Sequence, residues 1–165
     1  MRTAVHAQSF VLGIAIAVSA YAGDLNPPPG PIGPTMKPLD QVEPRTPISS
    51  LPYTITQGGS YYLTGNLTGV AGQNGITVMA GDVTIDLMGF TLHGVPGSLH
   101  GIGMGMLPIA ISNVTVRNGT VRDWGGDGIV GTNEYKLSDL LISSNAGRGI
   151  VGVDRWEFHN LMVTS

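Results

Sequence analysis

Asp127-Gly128-Ile129-Val130-Gly131 and Arg148-Gly149-Ile150-Val151-Gly152 share the phrase Gly-Ile-Val-Gly, at positions 128 to 131 and again at 149 to 152. Upstream, Asn74-Gly75-Ile76 and His100-Gly101-Ile102 carry the same Gly-Ile core, so the four occurrences follow one another in steps of 26, 27 and 21. The last step extends to other positions. Val116, Leu137 and Phe158 are 21 apart, as are Val121, Ile142 and Val163. A 21-residue period with extra residues in one position is the mark of a solenoid with loop insertions.

The repeating unit holds no helical pattern. Val83-Thr84-Ile85-Asp86-Leu87 and Val114-Thr115-Val116 alternate branched apolar with polar residues, the period of a half-buried strand. Each unit reads as three short strands: the Gly-Ile strand, a Val-Thr-Ile-like strand, and one such as Thr120-Val121-Arg122. Three strands in every repeat, stacked step by step, predict an all-β parallel β-helix. An antiparallel sandwich is also short-stranded and turn-rich, but does not hold one register across three separate strands. Asn118, Asp139 and Asn160 form another column at the same step, between the second and third strands. Rungs about 4.8 Å apart would make these a structural ladder at a tight bend, which Asn and Asp tolerate. Two of the three are amides, which argues against a metal-binding row. Asp86 followed by Arg117 reads as an opposite-charge pair on adjacent rungs.

Composition agrees. Of 165 residues, 25 are Gly and 11 Pro, and 12% are charged. Glycine weakens helices and supplies turn conformations, so this points to turns between strands. Hydrophobic content of 42% suffices for a core. The net charge of −3 lacks the basic footprint of nucleic-acid or anionic-membrane binding. With no Cys there is no disulfide, thiol chemistry or thiolate metal site.

Residues 1–22 read as a secretory signal. Arg2 precedes the short apolar run Phe10 to Val18, and Ala20-Tyr21-Ala22 places cleavage before Gly23. The apolar stretch is too short for the roughly 20 residues that span a bilayer. Cleavage leaves 7 basic and 11 acidic residues, a net charge of −4, so the expected product is exported with no membrane span. Residues 23–47 hold eight of the eleven prolines and read as an extended spacer. The β-helix is expected over 48–165, as about four rungs and part of a fifth.

These repeats resemble the right-handed parallel β-helix proteins of the pectin-lyase-like fold. The lead-in Pro34-Thr35-Met36-Lys37-Pro38-Leu39-Asp40 and Glu43-Pro44-Arg45-Thr46-Pro47-Ile48 is similar to exported bacterial β-helix proteins of unknown function. So are Ser60-Tyr61-Tyr62-Leu63-Thr64-Gly65-Asn66-Leu67-Thr68 and Val114-Thr115-Val116-Arg117-Asn118-Gly119-Thr120-Val121-Arg122. The resemblance spans about residues 34 to 165 and brings no catalytic motif. Trp156 to Ser165 read as the second and third strands of a rung with no closing segment after them, so a C-terminally truncated piece of a longer β-helix is expected.

Asn74, His100, Asp127 and Arg148, the residues preceding each Gly-Ile, form the candidate functional column. The resemblance implies a long saccharide lying along that sheet, with His100 and Asp127 orienting an imidazole and Arg148 meeting an acidic sugar. The competing reading is a turn position that tolerates polar residues. A glycoside hydrolase needs two carboxylates about 5 to 9.5 Å apart, and the column holds only Asp127. Asp123 and Asp154 are not obviously placed to supply the second. Gly126-Asp127-Gly128 resembles polygalacturonase sequences but lacks their second Asp and their Gly-His-Gly. A lyase would want an acidic cluster for calcium, which is missing, beside a base such as Arg148. His6, His93, His100 and His159 show no metal-ligand spacing, and no metal or cofactor is expected. Gly101-Ile102-Gly103-Met104-Gly105 has no Lys and no following helix, and reads as part of an inserted loop over about 94–112 with Met106 and Leu107. Trp124, Tyr135 and Trp156 read as rung-edge aromatics able to stack on sugars. Two functions survive: an exported scaffold that binds polysaccharide or self-associates end to end, and a polysaccharide lyase or hydrolase with part of its site elsewhere. The missing acidic cluster favours the first.

Overall fold

A computed structural model describes residues 44–104, 111–131, 133–153 and 155–165. The signal expected at 1–22 and nearly all of the proline-rich stretch therefore lie outside the described residues. The described chain is all-β, with thirteen strands, every pairing of which is parallel. This is compatible with a β-solenoid.

Two sheets share the strands. One holds β2 (Tyr53–Ile55), β5 (Ile76–Val78), β8 (Ile102–Met104), β10 (Ile129–Gly131) and β12 (Ile150–Gly152) in that spatial order. The other runs β1 (Thr46–Ile48), β3 (Gly59–Leu63), β6 (Val83–Asp86), β9 (Val114–Arg122), β11 (Tyr135–Ser143) and β13 (Trp156–Thr164). Two short strands, β4 (Leu67–Thr68) and β7 (Thr91–His93), join it beside β9. Five rungs result, beginning at β2, β5, β8, β10 and β12, with β1 set before the first on β3. The rung at β2 carries Tyr53 where the later ones carry Ile, which hides it from a search for Gly-Ile. β1 takes in Pro47, at the sheet edge where a strand tolerates a missing N–H.

Three sequence expectations need correction. In the last three rungs the second and third strands fuse into nine-residue strands, β9, β11 and β13. The loop expected over 94–112 contains β8, and Met104 is a core residue; Met106 and Leu107 lie outside the described residues. The 27-residue rung places its excess between Met104 and Val114, whereas the 26-residue rung divides its excess among three corners.

Inward columns build the core: Tyr61, Ile85, Val116 and Leu137 in one, Leu67, Leu92, Val121 and Ile142 in another. Gly75, Gly101 and Gly128 are required there by space. A Cβ on Gly75 would lie 2.6 Å from the Trp124 ring and 2.6 Å from Gly101 O. On Gly101 it would meet Val121 Cγ1 at 2.6 Å, and on Gly128 Ile142 Cγ2 at 2.7 Å. Trp124 fills this space from the third-strand side, 1% exposed, its Nε1 donating to Leu92 O at 3.2 Å.

The second glycine of Gly-Ile-Val-Gly has a different neighbour. A Cβ on Gly131 would lie 2.5 Å from the Tyr135 ring, and one on Gly152 would strike the Trp156 indole. By register, the place of Gly131 is taken by Met104 and Val78 in the two earlier rungs, and the place of Tyr135 by Val114 and Val83. Later rungs keep the volume but move it across the corner, into the aromatic ring. Gly131→Val and Tyr135→Val are each expected to cost about 1–3 kcal/mol, the first by overpacking and the second by leaving a cavity. The double variant recreates the earlier Val–Val pair and should recover at least about 1 kcal/mol in a urea-unfolding cycle; additive losses would show that the two sites do not share space.

Candidate functional site

The corner before each strand β5, β8, β10 and β12 brings Asn74, His100, Asp127 and Arg148 onto successive rungs, as one hydrogen-bonded file. Asn74 Oδ1 accepts from His100 N at 3.1 Å, His100 Nδ1 from Asp127 N at 3.0 Å, and Asp127 Oδ1 from Arg148 N at 2.7 Å. Each of the first three side chains thus holds the main chain of the next rung. Buried or half-buried main-chain N–H groups in a corner must find acceptors, and these residue types supply them. The feature common to Asn, His and Asp is an acceptor atom at short reach. Arg148 supplies only its amide, and its guanidinium has no partner among the described residues.

The shorter of two contacts at Nδ1 sets the chemistry of His100 while the ring accepts the Asp127 N–H. An acceptor Nδ1 puts the proton of a neutral imidazole on Nε2. His100 therefore presents a donor on its other side, not the lone pair a general base needs. Asp127 has one oxygen on Arg148 N and the other 3.3 Å from His100 Nδ1. Its carboxylate is engaged with the corner.

Asn118, Asp139 and Asn160 sit in the middle of β9, β11 and β13 with φ of 60°, 54° and 48°. These left-handed residues bend the long strands, and short polar side chains are the least strained in that conformation. Asn160 Nδ2 donates to Asp139 Oδ1 at 2.8 Å, whereas Asn118 Nδ2 donates to Asp86 Oδ1 at 3.2 Å. Asp86, almost fully buried, also accepts from Met88 N at 2.9 Å and from Arg117 Nε and Nη2 at 3.1 and 2.9 Å. Arg45, stacked 4.8 Å from the Tyr62 ring centre, lies 3.9 Å from the same carboxylate.

The aromatic residues expected at rung edges are largely elsewhere. Trp124 and Tyr135 are 1% and 3% exposed, packed in the core. Trp156 is half-buried, 5.0 Å from the Tyr135 ring and 5.7 Å from Phe158. None of the three stands clear as a sugar platform, because the glycines opposite make room for rings inside. Burial, and then the neighbouring Tyr53, pushes the Tyr61 phenol above its usual value, and its hydroxyl donates to Gln57 O at 2.8 Å.

One cluster escaped the sequence reading. Asp123, at a left-handed corner residue with φ 61°, places Oδ2 3.1 Å from His93 Nε2 and 3.4 Å from Arg122 Nη1. His93 and Arg122 are register partners on adjacent rungs. Here the carboxylate lies against Nε2, and among the described residues no partner meets Nδ1, whereas at His100 it is Nδ1 that meets the next rung. The separation of His93 from Arg122 along the chain falls outside the 21-residue step, because this rung is one of the long ones. Asp154 lies outside the described residues. A shallow depression of about 310 Å³ lies at the starts of β9, β11 and β13, lined by Asn113, Thr115, Glu134, Lys136, Arg155 and Glu157. Its charges pair across rungs, Arg155 with Glu134 at 2.6 Å and Lys136 with Glu157 at 3.0 Å. Among the described residues no group of three or more His, Cys, Asp or Glu is placed to hold a metal ion.

If the column serves the main chain, Asp127→Ala should lose about 1–2 kcal/mol in urea unfolding through the orphaned Arg148 N–H. Arg148→Ala, which leaves that amide in place, should stay within about 0.5 kcal/mol. Equal losses would contradict the arrangement. Compared with protein-family models, curated proteins and solved structures, the chain matches none.

Proposed function

We propose that this chain is an exported scaffold with a right-handed parallel β-helix of the pectin-lyase-like type, presenting its outer faces to polysaccharide without turning it over. The observation that carries this reading is that Asn74, His100 and Asp127 each commit one acceptor atom to a rung-to-rung main-chain bond. Groups already committed to the backbone are poor acids, bases and nucleophiles. The right hand rests on the general preference of parallel strand–crossover–strand connections. Export rests on the expected signal at 1–22; no helix among the described residues is long and apolar enough to cross a membrane.

The second reading, a polysaccharide lyase or hydrolase with a site only partly in this chain, is favoured by one observation. His93 Nε2 lies 3.1 Å from Asp123 Oδ2 while Nδ1 has no partner among the described residues, an arrangement that suits a proton-transferring imidazole. Glycan-array binding run beside assays for new reducing ends and unsaturated uronate separates the readings. Binding without turnover is expected. Turnover that disappears in His93→Ala or Asp127→Ala would overturn the scaffold reading.

End-to-end self-association belongs to the same proposal. Phe158 and Val163 continue two inward columns on β13 yet are 54% and 48% exposed. A further rung of the same chain, or a second copy stacked there, would cover them. Light scattering across a concentration series should show association that Phe158→Glu abolishes; a concentration-independent monomer would remove this part of the proposal.

A further inference from the structure

His100 offers one nitrogen to two partners with opposite needs. Its Nδ1 lies 3.0 Å from Asp127 N, which can only donate, and 3.3 Å from Asp127 Oδ2, which as a carboxylate oxygen can only accept. An imidazole nitrogen carries a lone pair or a proton, never both. Neither partner can be served without giving up the other.

We propose that this corner is a proton-operated joint between the third and fourth rungs. With Nδ1 bare, His100 accepts the Asp127 N–H, as Asn74 accepts the N–H of His100 one rung earlier. With Nδ1 protonated, the imidazolium donates to Asp127 Oδ2 and the Asp127 N–H loses its acceptor. The ring is hemmed in during this exchange. A Cβ on Gly126 would already lie 3.0 Å from Nδ1, so the main chain of the next rung covers the imidazole closely. The carboxylate is held from the far side, where Oδ1 keeps the Arg148 N–H at 2.7 Å. The exchange therefore trades one hydrogen bond for another and leaves the file anchored at Arg148.

The surroundings favour a local response. Asp127 is the titratable group facing His100 from the following rung, with Arg148 the next charged residue beyond it. The preceding rung presents Asn74, which does not titrate and whose Oδ1 is held by His100 N. His93, Arg122 and Asp123 form their own cluster at the other end of the corner. Asn74 also shows the alternative: an amide serves the same corner and has no proton to gain. With His at this one rung, acidification loosens the main chain where β10 begins, on the edge of the sheet that carries the Asn74 column.

The full chain tests this by nitrogen NMR of His100 and amide exchange of Asp127 between pH 7.5 and pH 5. A bare Nδ1 is expected at pH 7.5. On protonation the protection factor of the Asp127 amide should fall about tenfold, the equivalent of one hydrogen bond, while that of Arg148 changes less than about twofold. His100→Asn should hold Asp127 protection constant across the range. A proton already on Nδ1 at pH 7.5, or an equal loss of protection in His100→Asn, would overturn the proposal. If His100→Asn does not fold, the nitrogen signature and the contrast between Asp127 and Arg148 in the unaltered chain still decide it.

Discussion

The close approach of the main chain at Gly75, Gly101 and Gly128 to the side chains of the third-strand column is the contact on which the stacking depends. With a methyl group at these positions the Gly-Ile strands would be pushed off Trp124, Val121 and Ile142, and the two sheets would part at that corner. Because these glycines are tight in space and not left-handed, alanine would be resisted even though the backbone conformation allows it. The ladder then follows: Ile76 N to Gly101 O, Ile102 N to Gly128 O and Ile129 N to Gly149 O, each at 2.9 Å.

Corners impose the second demand. A coil of parallel strands turns several times per rung, and each turn leaves main-chain N–H groups that no strand partner reaches. This chain meets them with side chains reaching along the axis: Asn66 to Thr91 N, Asn74 to His100 N, Ser98 to Gly125 N, Asn145 to Trp124 N. The residue types that do this are those that also do chemistry. A file of Asn, His and Asp therefore looks like a functional row in the sequence, while its hydrogen bonds tie one acceptor of each residue to the main chain of the next rung. The His93 and Asp123 pair differs, because its imidazole meets a carboxylate and not the main chain.

Periodicity made the strands, the columns and the parallel stacking legible. Identical spacing in three separate strands leaves few other architectures, and the Asp86–Arg117 pairing was readable from one column. The cluster at His93 was not legible, since rung length varies: insertions stretch the chain between His93 and Arg122 beyond the common step, and only the register reveals them as neighbours. The aromatic residues were misread for a related reason. A Trp or Tyr next to a turn reads as exposed, until the glycine facing it across the corner is seen to make room for the ring.

The repeat, the β class and the residues able to adopt left-handed bends are all written in the amino-acid order, because they depend on side-chain size and period along one strand. The direction in which each polar side chain commits its hydrogen bonds is not, and was settled by the packing of rung on rung. That depends on the neighbouring rung, whose distance along the chain changes from 21 to 31 residues while its distance in space stays that of one strand spacing. The same imidazole consequently meets the main chain of the next rung at His100 and a carboxylate at His93.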